Sequence, residues 1–315
     1  MIKKLPFLRF VSFLLSLFLM PGLPMNARAA TEEQQTSFFS FLEPSPQLNM
    51  NRVWTVSGAQ VVGYGTTLVL LNTLWYQEYP RQGFNFHNDL EDWMQMDKLG
   101  HSTTAYHLSR LGASSFVWAG VDERTSTWLG ALSATSFMGV VEILDGFSTG
   151  WGFSTADFVA NKIGAFTYIG QQLAWQEQKI LWKFSFSPTS LADQRPELLG
   201  STLPEMMLKD YNGQTYWLSF NLNALSGSEV LPHWLNLAVG HGAYGMLSSR
   251  ASHSPVPQME RYRQWYIAPD IDWQRIPTNS PFLKTLFTTL NYLKVPAPAI
   301  EYNRVEGFQF HLIFF

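Results

Sequence analysis

Hydrophobic and polar positions divide the chain into stretches of different period. Residues 10–20 form a short apolar run broken by Pro21, Gly22 and Pro24. Residues 30–57 are polar and contain Glu43-Pro44-Ser45-Pro46, which predicts an extended lead-in. Residues 58–76 hold no charged residue and end in Trp75 and Tyr76, with Tyr79 just beyond. Residues 125–144 are similar and carry Gly130, Ala131, Ser133, Ala134, Ser136 and Gly139, small residues that let helices approach closely. Both stretches suit a membrane span with an aromatic belt and, equally, a helix buried in a large core. Residues 101–117, with Arg110, and residues 157–178, which grow polar towards their end, complete the pattern. A compact four-helix bundle over 58–178 is expected, membrane-embedded or soluble.

Beyond about residue 180 the texture changes. Tyr211-Asn212-Gly213-Gln214 signals a turn ahead of a strand at 215–220, whereas 232–246 resembles a short helix interrupted by glycines. Residues 262–276 are aromatic-rich and extended around Pro269. Ser280 and Pro281 supply an N-cap and a first helical position, with Phe282, Leu283, Leu286, Phe287, Leu290 and Leu293 on one broad face behind them. Residues 299–304 and 307–315 are two further expected strands; in the second, Phe308, Phe310, Leu312 and Phe314 alternate with Gln309 and His311. The expected fold class is therefore mainly α, a four-helix bundle followed by a mixed α/β, aromatic-rich region over 179–315. An apolar strand ending in Phe315 also resembles the end of an outer-membrane barrel. Such a barrel needs about eight strands of nine to eleven residues, and the helical half leaves too little chain for that.

Composition narrows the class. Charged residues make up 14% of the 315 residues and aromatic ones 15%, the opposite of a disordered chain. The sequence has no cysteine, which removes disulfides, zinc–thiolate sites and thiol nucleophiles. A pI near 6.2 argues against a nucleic-acid partner. A mean hydropathy of −0.05 is low for a polytopic membrane protein.

The first 29 residues have the form of an export signal: Lys3, Lys4 and Arg9 precede the apolar run, and Ala27-Arg28-Ala29 is an A-x-A cleavage site. Export to the periplasm or to a cell-envelope membrane is expected. A lipobox needs a cysteine, so the protein is not expected to be a lipoprotein.

Against so apolar a background, clustered ionisable residues are the candidate chemistry. Asp97, His101 and Thr104 share one helical face beside Lys98; Glu142 and Asp145 lie three apart; Ser154, Asp157 and Asn161 again share a face. Buried charges need partners, so the three clusters are expected to form one polar site. There His101 would act as base, Asp97 would orient it, Lys98 would meet an anionic group, and Glu142 would supply a carboxylate for acid–base or metal work. The plainer account is an internal salt-bridge network that fixes helix register. For Asp145 the plainer account is a helix end, and for Ser154 and Asp157 a capping pattern. His87-Asn88-Asp89 could lend a metal ligand, but exposed loop polarity is the commoner explanation; His233 and His241 read as packed or surface residues rather than ligands. No HExxH and no phosphate-cradling glycine loop occurs; the cofactor and the metal are left undefined, with a divalent cation open.

The order Met96-Asp97-Lys98-x-Gly100-His101, Glu142-x-x-Asp145-Gly146, Gly150-Trp151-Gly152-Phe153-Ser154 and Asp157-x-x-Ala160-Asn161 resembles the VanZ-like membrane proteins. It is closer still to a YfiM-like family of predicted periplasmic lipoproteins of unknown function, over about residues 85–170. The resemblance implies a helical envelope domain and no defined activity. With it, the site residues Asp97, Lys98, His101, Glu142 and Asp157 (catalytic) and Asp145, Ser154 and Asn161 (ligand-binding) fit an envelope protein that binds or processes an anionic component, a lipid or cell-wall headgroup. The alternative is a non-catalytic scaffold whose aromatic surface docks on membrane or on partner proteins.

Overall fold

The computed structural model describes residues 40–74, 79–228 and 230–315. The expected export signal lies outside the described residues. The first long helix, α1 (Met50–Leu74), begins inside the expected lead-in. A short strand, β1 (Phe86–His87), leads to α2 (Met96–Trp118) and α3 (Glu123–Gly146), and β2 (Phe153–Ser154) leads directly into α4 (Thr155–Trp175).

Local chemistry sets these boundaries. Asp122 caps α3 by accepting from Thr125 N at 2.9 Å, and Ser154 caps α4 by accepting from Asp157 N at 2.9 Å. The start of α2 is unusual: Trp93, Met94 and Gln95 all have positive φ, 48°, 52° and 65°. Each of these non-glycine residues is strained, and the strain persists because neighbours hold it. Arg263 Nη1 donates to Met94 O at 2.7 Å, its Nη2 donates to the Gln95 side chain, and Trp93 N donates to Ser249 O at 2.8 Å.

Helix α2 is the centre of the bundle. A Cβ on Gly130 of α3 would run into Ser109 O and Ala113 N, and one on Gly164 of α4 would run into Ser102 O. Glycine at these two places is therefore what lets both neighbours close on α2. Helix α1 leans on the far end instead, where Val56 meets Phe116 and Ala119, and Tyr64 stacks on Phe137 at 4.6 Å. One helix among the described residues, Glu123–Gly146, is long and apolar enough to cross a membrane, with mean hydropathy 1.4 over its best window.

The second half corrects the mainly α expectation. The chain continues through β3 (Ile180–Phe186), the short helices α5 (Pro196–Leu199) and α6 (Leu203–Lys209), β4 (Gln214–Asn221), α7 (Leu222–Ser226), β5 (Leu235–Tyr244) and β6 (Tyr262–Ile271). It ends with α8 (Pro281–Leu290), β7 (Ala297–Asn303) and β8 (Gly307–Phe314). Strands β3 to β8 form one six-stranded antiparallel sheet in sequence order, so the fold is mixed α/β rather than a four-helix bundle with an appendage.

The glycines at 240 and 242 made β5 look like a broken helix. In the structure Gly240 lies under the Trp217 ring, where a Cβ would come within 2.7 Å, so glycine makes room for an aromatic on the neighbouring strand. The bundle packs on β3, β4 and the end of β5: Tyr106, Tyr168 and Ile169 cluster with Trp182, and Met96 with Tyr216 and Ala243.

Candidate functional site

The N-terminal turns of α2 and α4 and the C-terminal turn of α3 meet at one end of the bundle. They bring together most of the ionisable residues singled out above. Lys98 is 9% exposed and its Nζ lies 2.7 Å from Asp89, 2.8 Å from Asp97 and 2.8 Å from Asp157. Next to this knot, His101 Nδ1 is 3.2 Å from Asn161 Oδ1 and 3.4 Å from Glu142 Oε1, and its Nε2 is 3.7 Å from Asp157 Oδ1. Asn161 donates to Glu142 Oε1 at 3.3 Å. Glu142 is 1% exposed, and its other oxygen, Oε2, is buried with no hydrogen-bond partner among the described residues.

Thr104 is exposed and turned away from the cluster. Ser154 caps α4 and donates to Asp89 at 2.5 Å, so it orders the site's frame. Asp145 is half-buried one turn beyond Glu142, which it influences by charge. Asp89 is the residue that sequence reasoning passed over as loop polarity. A parallel pairing of Phe86 with Phe153 and His87 with Ser154 carries it to Lys98. The only sequence signal was a pair of similar short segments, Phe86-His87 and Phe153-Ser154, far apart in the chain.

Burial governs the electrostatics. It pushes the Glu142 carboxyl up to about 9, helped by the like charges of Asp157 and Asp145 and opposed by the Asn161 bond. It pushes Asp97 up to about 7 against the attraction of Lys98. Burial also raises Asp157, while His101 and Lys98 pull the other way. Asp89 ends below its ordinary value: burial opposes its charge, but bonds to Asp157, Lys98 and Ser154 outweigh burial. The two carboxyls are hydrogen-bonded to each other and titrate as a pair, Asp157 shifted up and Asp89 down. Lys98 stays fully charged, because its carboxylate neighbours overcome burial, and burial holds His101 neutral at pH 7.

Two chemistries are open to this arrangement. A neutral imidazole sits between a protonated Glu142 and Asp157, a chain along which a proton can move. Alternatively, His101, Glu142 and Asp157 each offer a ligand atom, all within 4.8 Å of one another, a nitrogen–oxygen set suited to a divalent cation. Asp89, Asp97 and Asp157 form a second such group, but the Lys98 ammonium already occupies the space between their oxygens. A cavity of about 840 Å³ opens at the opposite end of the bundle, lined by Arg110, Tyr168, Gln172 and Arg275, away from the cluster.

Residues 86–170 match the model of a family described as "Predicted periplasmic lipoprotein (DUF2279)". The matched stretch contains the whole cluster, from Asp89 to Asn161. No curated protein and no solved structure matches the chain. The match supports the exported, periplasmic placement, in a cell-envelope protein of uncharacterised activity. It overturns the expectation of a protein outside the lipoprotein class. That expectation rested on the missing cysteine alone, which concerns thioether lipidation of this chain, whereas the match is defined by the helical domain.

Proposed function

We propose that this is a cell-envelope protein whose Asp/Lys/His/Glu site takes a divalent cation and, through it, the anionic headgroup of a lipid or cell-wall precursor. One observation carries the reading: the fully buried Glu142 has an unpartnered oxygen beside His101 and Asp157. A buried acceptor left unmade costs about 1–3 kcal/mol, and a cation removes that cost by turning the surplus of carboxylates into ligands. A bare anion would meet four carboxyl groups against one ammonium that three of them already hold. The motif order shared with VanZ-like and YfiM-like proteins supports an envelope role for the same residues.

Calorimetric titration with MnCl2 and ZnCl2 tests this. Because Glu142 must ionise, binding near pH 7 should release about one proton per cation, visible as a dependence on buffer ionisation enthalpy. Glu142→Gln should weaken binding at least about tenfold, and phosphate-bearing headgroup analogues should bind only to the loaded protein. If neither cation binds the intact protein, the cluster is a register-fixing network and the proposal fails. That second reading has its own support in the three carboxylates that satisfy Lys98.

A further inference from the structure

The six-stranded sheet has its polarity reversed. Leu218, Val239, Ile267, Ile300 and Phe310 are register partners across five strands, and Trp265, Tyr302 and Phe308 form the neighbouring row. Where the bundle covers β4 and the Ala243–Arg263 end of β5 and β6 this face is core, but over the rest of β5 to β8 it is bare. Ile267 is 52% exposed, Ile300 51%, Phe310 69% and Phe308 77%.

The opposite face holds the polar residues, and they are buried. Lys183 Nζ lies 2.8 Å from Asp270, Ser219 Oγ donates to Asp270 at 2.6 Å, Gln264 donates to Glu301 at 2.8 Å, and His311 pairs with Glu301 at 2.8 Å. The sheet curls enough for Trp217 on β4 to meet Phe314 on β8 at 6.0 Å. An antiparallel sheet in water turns its polar face outward; this one turns its polar face inward and satisfies it there.

We propose that the bare outer face of β5 to β8 docks into the acyl layer of a lipid bilayer, to the depth of one leaflet. Three features select lipid. The exposed rows carry no ionised side chain: His241 is half-buried against Trp265, its pKa driven down to about 4 by burial and by the Arg263 charge, and Arg263 in the next row turns to Met94 O and the Gln95 side chain ahead of α2. The aromatic residues Trp265 and Tyr302 lie side by side in one row, the composition of a membrane–water interface. The family matched over residues 86–170, ahead of the sheet, is described as periplasmic, a compartment bounded by membranes. Depth follows from geometry. Residues 235–241 span roughly 20 Å of strand, less than the about 30 Å of a full hydrocarbon core. Among the described residues β8 is an open edge; unpaired backbone is not tolerated in hydrocarbon, so the face enters by its side chains with the β8 edge held at headgroup level. The proposal is independent of the polar site in the bundle.

The chain has no cysteine, so single labels are clean. Ile300→Cys and, as a control on the polar surface, Asp193→Cys are each labelled with an environment-sensitive fluorophore. Both are mixed with phosphatidylcholine vesicles in 0.5 M NaCl, with and without brominated lipid. The label at position 300 should shift to the blue and be quenched by bromine, and the label at 193 should do neither. Adding Phe308→Ser and Phe310→Ser should lower partitioning about tenfold per residue, with the circular dichroism and melting curve unchanged. A label at 300 that ignores vesicles overturns the proposal. So does a blue shift without lipid that grows with protein concentration, which would assign the face to a second copy of the chain.

Discussion

His101 Nδ1 lies 3.4 Å from Glu142 Oε1, on a glutamate that is 1% exposed and holds its proton up to about pH 9. A carboxyl whose folded pKa is raised binds more protons in the folded state than in the unfolded one. Stability must therefore fall as pH rises from the ordinary carboxyl range, 4.5, towards about 9, with Asp97 adding to the fall up to about 7. His101 has the opposite sign: burial lowers its pKa, so its contribution is lost as pH drops below 6.5. Thermal melting should peak between these limits. Glu142→Gln should flatten the alkaline limb and leave the variant more stable than the wild type at pH 9, by on the order of 3 kcal/mol. An unchanged pH profile in the variant would show that Glu142 is ionised in the fold.

Among the described residues Lys98 is the cation in contact with Asp89, Asp97 and Asp157 at once. Lys98→Met keeps the length of the side chain and removes the charge. Stranding buried carboxylates in this way costs about 3–5 kcal/mol, which urea denaturation at pH 7 will measure. The deficit should shrink towards pH 4, where the carboxyls take up protons. A loss that does not vary with pH would mean that Lys98 matters for packing alone.

Much of the bundle and its cluster was legible because helical spacing is local. Asp97 and His101, or Asp157 and Asn161, are neighbours on any α-helix, and an apolar background makes such charges conspicuous. Asp89 was not legible, because its approach to Lys98 depends on pairing β1 with β2, a contact between distant segments. The strands near residue 300 were visible in their alternation, but period two does not say which face is buried. Phe308, Phe310 and Leu312 alternate as a core-facing row would, yet they are outside, while Glu301 is inside. In β5 the glycines pointed to a broken helix because the reason for Gly240, the Trp217 ring, sits on another strand.

Arg263 on β6 reaches the strained turn ahead of α2, donating to Met94 O at 2.7 Å and to the Gln95 side chain. The turn places Asp97 and Lys98, so the sheet positions the site through this contact. Arg263→Ala should destabilise the fold by about 1–3 kcal/mol, the strain of one or two left-handed residues and their lost bonds. Amide exchange should rise over residues 93–98 far more than in the sheet interior. Equal acceleration everywhere would indicate that Arg263 supports global stability only.

Two glycines on α4 give opposite outcomes for the same substitution. At Gly170 an added Cβ meets nothing within 4 Å, so Gly170→Ala should stabilise the helix by about 1 kcal/mol through propensity alone. At Gly164 the added methyl would strike Ser102 O, and relief requires α4 to move away from α2. That motion separates Asp157 and Asn161 on α4 from Lys98 and His101 on α2. Gly164→Ala should therefore lose about 2 kcal/mol or more and also lose cation affinity, although it alters no ligand. Melting curves of the two variants with and without MnCl2 separate the effects. The cation should raise the melting temperature of Gly170→Ala as it does the wild type, and should leave Gly164→Ala almost unmoved. Equal shifts in both would mean that the His101, Glu142 and Asp157 set tolerates the displacement and does not depend on close contact between α2 and α4.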